Sequence, residues 1–111
     1  WMGEKLAALY LKGKGLEILE MNRNCPPHGE IDIIARNHGE IVFIEVKTAF
    51  KTNPDLLDEK VDNNKLKKIS HAIYQYQKET EQIDDIRIDC VSVILQKKKP
   101  IIKHFEGIRL E

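Results

Sequence analysis

Apolar and polar residues alternate most regularly between Gly29 and Lys47, GEIDIIARNHGEIVFIEVK. In an extended chain Glu30, Asp32 and Ile34 point one way and Ile31, Ile33 and Ala35 the other. Phe43, Glu45 and Lys47 then share one side of the following segment, and Val42, Ile44 and Val46 the opposite one. A period of two marks strands. Asn37-His38-Gly39 between them is turn chemistry, because Asn and Gly accept positive φ cheaply. The register that joins the two apolar sides sets Ile34 against Phe43, Asp32 against Glu45 and Glu30 against Lys47, with a loop from Asn37 to Glu40. Its other face, Ala35–Val42, Ile33–Ile44 and Ile31–Val46, is a core surface. A slip of one residue would turn charges into that core, so the register is well specified.

Around this hairpin the periodicity predicts five further elements. Residues 2–13 read as a helix stopped by Gly13 and Gly15, with Leu6, Ala7, Tyr10 and Leu11 inward. Glu4 shares the edge of that face with Ala7, Ala8 and Leu11; an acid in a first turn also complements the helix dipole. Leu16–Met21 alternates as a strand, and Asn22–His28, with Pro26-Pro27, reads as an exposed connection carrying an ordinary loop thiol, Cys25. Thr48–Asp58 reads as a loop around Asn53-Pro54-Asp55. A helix over about 58–80 carries the stripe Leu66, Ile69, Ile73, Tyr76, with both Tyr74 and Tyr76 expected as packing residues and His71 on its surface. Ile86–Leu95 is the most β-branched run and predicts an interior strand; Asp89 within it needs a partner, Arg87 or a helix N-terminus, and Cys90 reads as an inert core thiol. Ile101–Phe105, with His104, predicts an edge strand. The order α-β-β-β-α-β-β places three strands in an antiparallel meander, and the long helix returns the chain to a parallel neighbour, giving a small α/β sandwich.

Composition narrows the classes. The 111 residues suit one domain with a modest core, and 41% hydrophobic against 32% charged is globular. Eighteen basic and 18 acidic residues cancel, so any attraction for nucleic acid must come from local patches. Two isolated cysteines without a CxxC suggest a reducing compartment, and the absence of a signal peptide or a spanning apolar run predicts a cytoplasmic chain with no membrane partner.

The chemistry lies in the hairpin. Two carboxylates set opposite each other, Asp32 and Glu45, are destabilising. A hard divalent cation between them would turn that repulsion into ligation. Alternating charge is also the mark of a solvated strand face, on which a Glu30–Lys47 ion pair would be ordinary. His28 lacks a second His or Cys at ligand spacing. Lys60, Lys65, Lys67 and Lys68 crowd the start of the second helix, either as a solvated face or to meet phosphates.

Asp32, then Glu45-Val46-Lys47 on the next strand, with Glu4 in a preceding helix, resembles the PD-(D/E)XK nuclease superfamily. Gly3-Glu4 with Ala7, Tyr10 and Leu11, Gly29-Glu30-Ile31-Asp32, Val42–Lys47 and Arg87-Ile88-Asp89 more closely resemble the YraN-like bacterial proteins, predicted endonucleases similar to archaeal Holliday-junction resolvases. The likeness spans nearly the whole chain. It departs at Ile31, where the superfamily's proline stands, and at Ala49, where an arginine is usual. The resemblance implies a single nuclease-like domain over residues 1–111, a restriction-endonuclease-like three-layer sandwich around a mixed sheet. It also implies Mg²⁺- or Mn²⁺-dependent hydrolysis of phosphodiester bonds in DNA, with branched or structured DNA as partner, and a homodimer if two strands are cut symmetrically. Asp32, Glu45 and the Val46 carbonyl would hold the metal with Glu4 as a further ligand, Lys47 would position water or offset charge, and Glu30 would orient Lys47. Lys51, Lys65 and Lys68 are the expected DNA contacts. The alternative is a non-catalytic nucleic-acid or protein-binding module on a nuclease-derived fold.

Overall fold

The computed structural model describes residues 2–50 and 62–109. Its elements are α1 (Met2–Gly13), β1 (Glu17–Asn24), β2 (Glu30–Asn37), β3 (Glu40–Phe50), α2 (Asn63–Thr80), β4 (Asp85–Leu95) and β5 (Ile101–Phe105). The strands form one sheet in chain order. β1–β2, β2–β3 and β4–β5 are antiparallel, and β3–β4 is parallel across the α2 crossover, as the element order requires.

Helices cover both faces, so the central strands are buried on both sides and read as nearly continuous apolar runs, Ile41-Val42-Phe43-Ile44 and Val91–Ile94, the second interrupted by the buried Ser92. On one face α1 sets Ala7, Ala8 and Leu11 against Ile33, Ala35, Val42, Ile44, Val91 and Val93. On the other, α2 sets Leu66, Ile69, Ile73 and Tyr76 against Ile34, Ile41, Phe43 and Cys90. Tyr76 meets Phe43 edge to face at 5.6 Å. Each large side chain buried here contributes about 1.5–3 kcal/mol. Asp62 caps α2 by accepting the Lys65 amide at 2.9 Å. The expected stripe is therefore the buried face, but Tyr74 is not part of it: it is exposed, with the Lys78 ammonium 5.4 Å from its ring centre.

The hairpin register is the expected one from Ile33–Ile44 to Asn37–Glu40. The loop is shorter than expected: Asn37 and Glu40 pair, and His38 (φ 51°) and Gly39 (φ 86°) alone make the turn, both in the left-handed region a two-residue hairpin demands. Beyond Ile33 the β2–β3 ladder stops, so the expected facing pairs Asp32–Glu45 and Glu30–Lys47 are not ladder partners. β2 continues with β1 instead, Arg23 opposite Ile31 and Asn24 opposite Glu30. β1 thus extends through residues expected to be loop. Asn22, opposite Asp32 in that register, has φ 56°, which kinks the pair of strands. The kink moves Ile31 to the α2 side, away from Ile33 and Ala35 with which alternation grouped it.

Two more expectations shift. Cys25 is fully buried in the α2-side core, where burial pushes its thiol pKa up. Thr48–Phe50 belong to β3 rather than to a loop, and the rest of that loop and the expected first residues of the second helix, through Val61, lie outside the described residues. Both cysteines are free thiols. No helix among the described residues is long and apolar enough to cross a membrane.

Candidate functional site

The kink opens the sheet where β2 parts from β3, and acidic side chains from three elements meet there. α1 contributes Glu4, nine-tenths buried on the edge of its core face. β2 contributes Glu30 and Asp32, and carboxylate oxygens of Glu4, Glu30 and Asp32 lie within 4.8 Å of one another. The Val46 amide, freed where the ladder stops, donates to Asp32 Oδ2 at 2.8 Å. On β3, Glu45 is 11% exposed and its Oε1 lies 3.4 Å from Lys65 Nζ of α2. Lys47 is half-buried on the same strand side and draws the Glu45 pKa down electrostatically.

Charge in this cleft is unbalanced. Burial pushes Asp32 up to about 7, and the Glu45, Glu4 and Glu30 carboxylates add to that push against the Val46 amide. Glu45 is raised too, chiefly by burial, with Lys65 and Lys47 pulling the other way and Glu4 adding to the rise. Carboxylates raised together by burial and by one another would each be favoured in the ionised form by a nearby cation. A second acidic group, Asp89, His104 and Glu106, has the opposite character. Arg87 donates to both Asp89 oxygens at 2.9 Å, so the charge is already matched and a cation would have to displace a guanidinium.

Asp32, Glu4, Glu45 and Lys47 are therefore brought to one cleft. Glu30, expected to orient Lys47, lies inside the three-carboxylate group, whereas Glu45 is held by Lys65. Lys68 lies one turn beyond Lys65 on α2, and Lys51 is outside the described residues. Asn22 is the member that pattern reading missed. Its Nδ2 donates to both Glu4 Oε1 and Glu30 Oε1 at 2.8 Å, so one neutral amide holds two carboxylates together. The available signal was the polar run Asn22-Arg23-Asn24 after Met21, in which an Asn suited to positive φ breaks the alternation.

Gly3 explains how Glu4 gets there. A Cβ on Gly3 would overlap Thr48 Oγ1 on β3 and would sit 3.1 Å from Thr48 Cβ, so rotating the threonine does not make room. Gly3→Ala should therefore cost about 1–3 kcal/mol through overpacking, although alanine alone is the better helix former by about 1 kcal/mol. Thermal denaturation reads the sign: a stabilised Gly3→Ala variant would show that the α1–β3 approach is not tight.

The family model described as "Uncharacterised protein family UPF0102" matches residues 3–93. A UPF0102 protein of Syntrophomonas wolfei is 37% identical over 103 residues, covering 92% of this chain and 89% of its own length. One from Caldanaerobacter subterraneus is 42% identical over 100 residues, covering 88% and 80%, and one from Thermotoga petrophila is 38% identical over 107 residues, covering 96% and 93%. The matched span runs from the glycine that seats α1, through every acidic member of the cleft, to near the end of β4, and the chain belongs to the UPF0102 family.

Proposed function

We propose that this chain is a metal-dependent endonuclease of the PD-(D/E)XK type, hydrolysing phosphodiester bonds in DNA, with branched or structured DNA as the substrate class. The observation that carries the reading is the convergence of Glu4, Glu30 and Asp32 within 4.8 Å at a cleft also reached by Glu45 and Lys47. Oxygen-only donors of this kind suit Mg²⁺ or Mn²⁺. Asp32, Glu4 and Glu45 would hold the ion, with Glu30 close enough to join them.

The bound ion would supply Lewis acidity to the phosphodiester and acidify a water. The protein's part is placement. Asn22 keeps Glu4 and Glu30 side by side, and the Val46 amide fixes one oxygen of Asp32. Lys47 would orient the attacking water or offset the charge that builds on the phosphate oxygens. Lys65, Lys68 and Lys51 would meet the DNA backbone. A dimer belongs to the same proposal, because symmetrical cutting needs two sites. Phe50, 66% exposed, and Ile101 on the β5 edge offer apolar surface for it, which light scattering with and without DNA would test.

The deciding experiment combines metal binding with cleavage. Mg²⁺ or Mn²⁺ should raise the melting temperature, since a ligand bound only by the folded state stabilises it. Lys47→Ala should keep that rise and lose cleavage of a four-way junction by about 10²-fold or more. A wild-type protein that shows no metal response and cuts no junction, flap or single strand would defeat the enzyme reading. DNA binding without either would leave the non-catalytic module.

A further inference from the structure

Beside the acidic cleft, and sharing Glu30 with it, lies a cavity of about 160 Å³ lined by Pro27, His28, Gly29, Glu30, Lys65, Lys68 and Ile69. Its chemistry is the reverse of the cleft's. Lys65, Lys68 and His71 stand three residues apart along one side of α2. The His28 ring stacks on His71 with centroids 5.3 Å apart and planes 23° apart, which fixes the loop after β1 against that helix face. Lys68 makes no ion pair among the described residues, and Lys65 is shared with Glu45 at 3.4 Å. Among the described residues Glu30 is the single acid in the wall, and one of its oxygens is occupied by the Asn22 amide. Pro27 and Ile69 give the cavity apolar walls, where a charge-assisted contact counts for more than on open surface.

Two ammonium groups and the His28 imidazole, which His71 holds by stacking, around a small cavity select a compact anion with several acceptor oxygens. We propose that this cavity is a phosphate subsite, taking a backbone phosphate of the nucleic-acid strand adjacent to the phosphate that lies at the acidic cleft. The inference rests on the nuclease reading for the identity of the strand. It adds that the strand is held on the Lys68 side of the cleft even without metal.

The test uses the full chain in EDTA and follows the His28 and His71 ring signals by NMR. The probes are a short single-stranded oligonucleotide without terminal phosphate, the same strand with a 5′-phosphate, and inorganic phosphate. The unphosphorylated strand should shift both imidazole signals saturably. Lys68→Gln should weaken its binding about tenfold at low salt and reduce the salt slope by about 0.7, the value for one lost single-strand phosphate contact. Lys12→Gln, at the far end of α1, is the control for an ordinary surface lysine. Lys68→Gln indistinguishable from Lys12→Gln in affinity and slope, or unmoved imidazole signals, would overturn the proposal. A response only to inorganic phosphate or to the 5′-phosphorylated strand would overturn the backbone assignment. Because no metal is present, these results stand apart from the nuclease test. The metal-induced rise in melting temperature should survive in Lys68→Gln, and its absence from wild type would sink the nuclease reading alone.

Discussion

Asp89→Ala is expected to destabilise the fold by about 3–5 kcal/mol, the range for removing one partner of a buried ion pair, which is a fall of about 15 °C or more in melting temperature at this size. Asp89 is fully buried on β4 and accepts four hydrogen bonds: Arg87 Nε and Nη2 at 2.9 Å, the Gly107 amide at 3.0 Å and His104 Nε2 at 2.7 Å. An ammonium can only donate, so the 2.8 Å contact from Lys14 Nζ makes His104 Nδ1 the acceptor and leaves the ring proton on Nε2, facing Asp89. Burial pushes the Asp89 pKa up, but His104, Arg87 and Gly107 together outweigh it and hold the carboxyl below its ordinary value. A depressed carboxyl stabilises the fold above its unfolded value, near 3.8, and loses that contribution as pH falls through its lower folded value. Alanine leaves His104 and the Gly107 amide without this acceptor, while among the described residues Arg87 retains only Glu40 and Glu106, each at 3.5 Å. Asp89→Asn, which keeps shape and one acceptor, should cost less. Denaturant titration checks the order, and an alanine cost below about 1 kcal/mol, the net worth of one ordinary hydrogen bond, would mean the network is dispensable.

The need for a partner at Asp89 was legible, since a lone carboxylate in a β-branched run cannot stay unpaired, and Arg87 two residues away was the nearest cation. His104 was not legible. It reaches Asp89 because β5 runs antiparallel to β4 with His104 opposite Val91, a register that neither strand's pattern specifies. The same division runs through the fold. Ile34, Phe43, Leu66 and Tyr76 fall where a period of two or 3.6 puts them, because burial on a face is a periodic constraint. The failures sit at element ends and at the kink. The pattern ends β1 at Met21, with Pro26-Pro27 marking Asn22–His28 as a connection, yet Asn22, Arg23 and Asn24 continue the strand and their polar side chains have work outside the core: Arg23 pairs with Glu20 at 2.9 Å and Glu79 at 2.8 Å.

The site was legible in its members and not in its wiring. Asp32, Glu45 and Lys47 follow from alternation across one hairpin, and Glu4 from its place beside Ala7 and Leu11. Continuing the ladder past Ile33 would have set Asp32 squarely against Glu45. The left-handed backbone at Asn22 instead ends that ladder's run, frees the Val46 amide for Asp32 and brings Glu30 toward Glu4. Alternation breaks here, where carboxylates from a helix and a strand are gathered within 4.8 Å of one another, which is where local rules are expected to yield to function.

Asp32→Asn should make the metal-free protein more stable, by an amount that grows with pH. The wild-type carboxyl has its pKa raised from 3.8 to about 7, so between those values the folded state keeps a proton that the unfolded state has lost. Stability from this group therefore falls as pH rises from about 4 to about 7 and is flat on either side. At 1.36 kcal/mol per pH unit the full penalty is about 4 kcal/mol. Solvent reaches part of the carboxylate and screens it, so a gap of about 2 kcal/mol above pH 7 is the expected size. Asparagine carries no such charge and its carbonyl can still accept the Val46 amide. The variant should match wild type near pH 4 and exceed it at pH 8, and the acid-side contribution of Asp89, common to both, cancels in the difference. Mg²⁺ or Mn²⁺ should reverse the ranking at pH 8, because a cation favours the ionised carboxylate, stabilising wild type and leaving the variant nearly unmoved. Chemical denaturation of both proteins from pH 4 to pH 8, with and without metal, provides the measurement. A difference that does not change with pH would show that neither burial nor its acidic neighbours raise the Asp32 carboxyl, and an equal metal response in the two proteins would remove Asp32 from the ligand set.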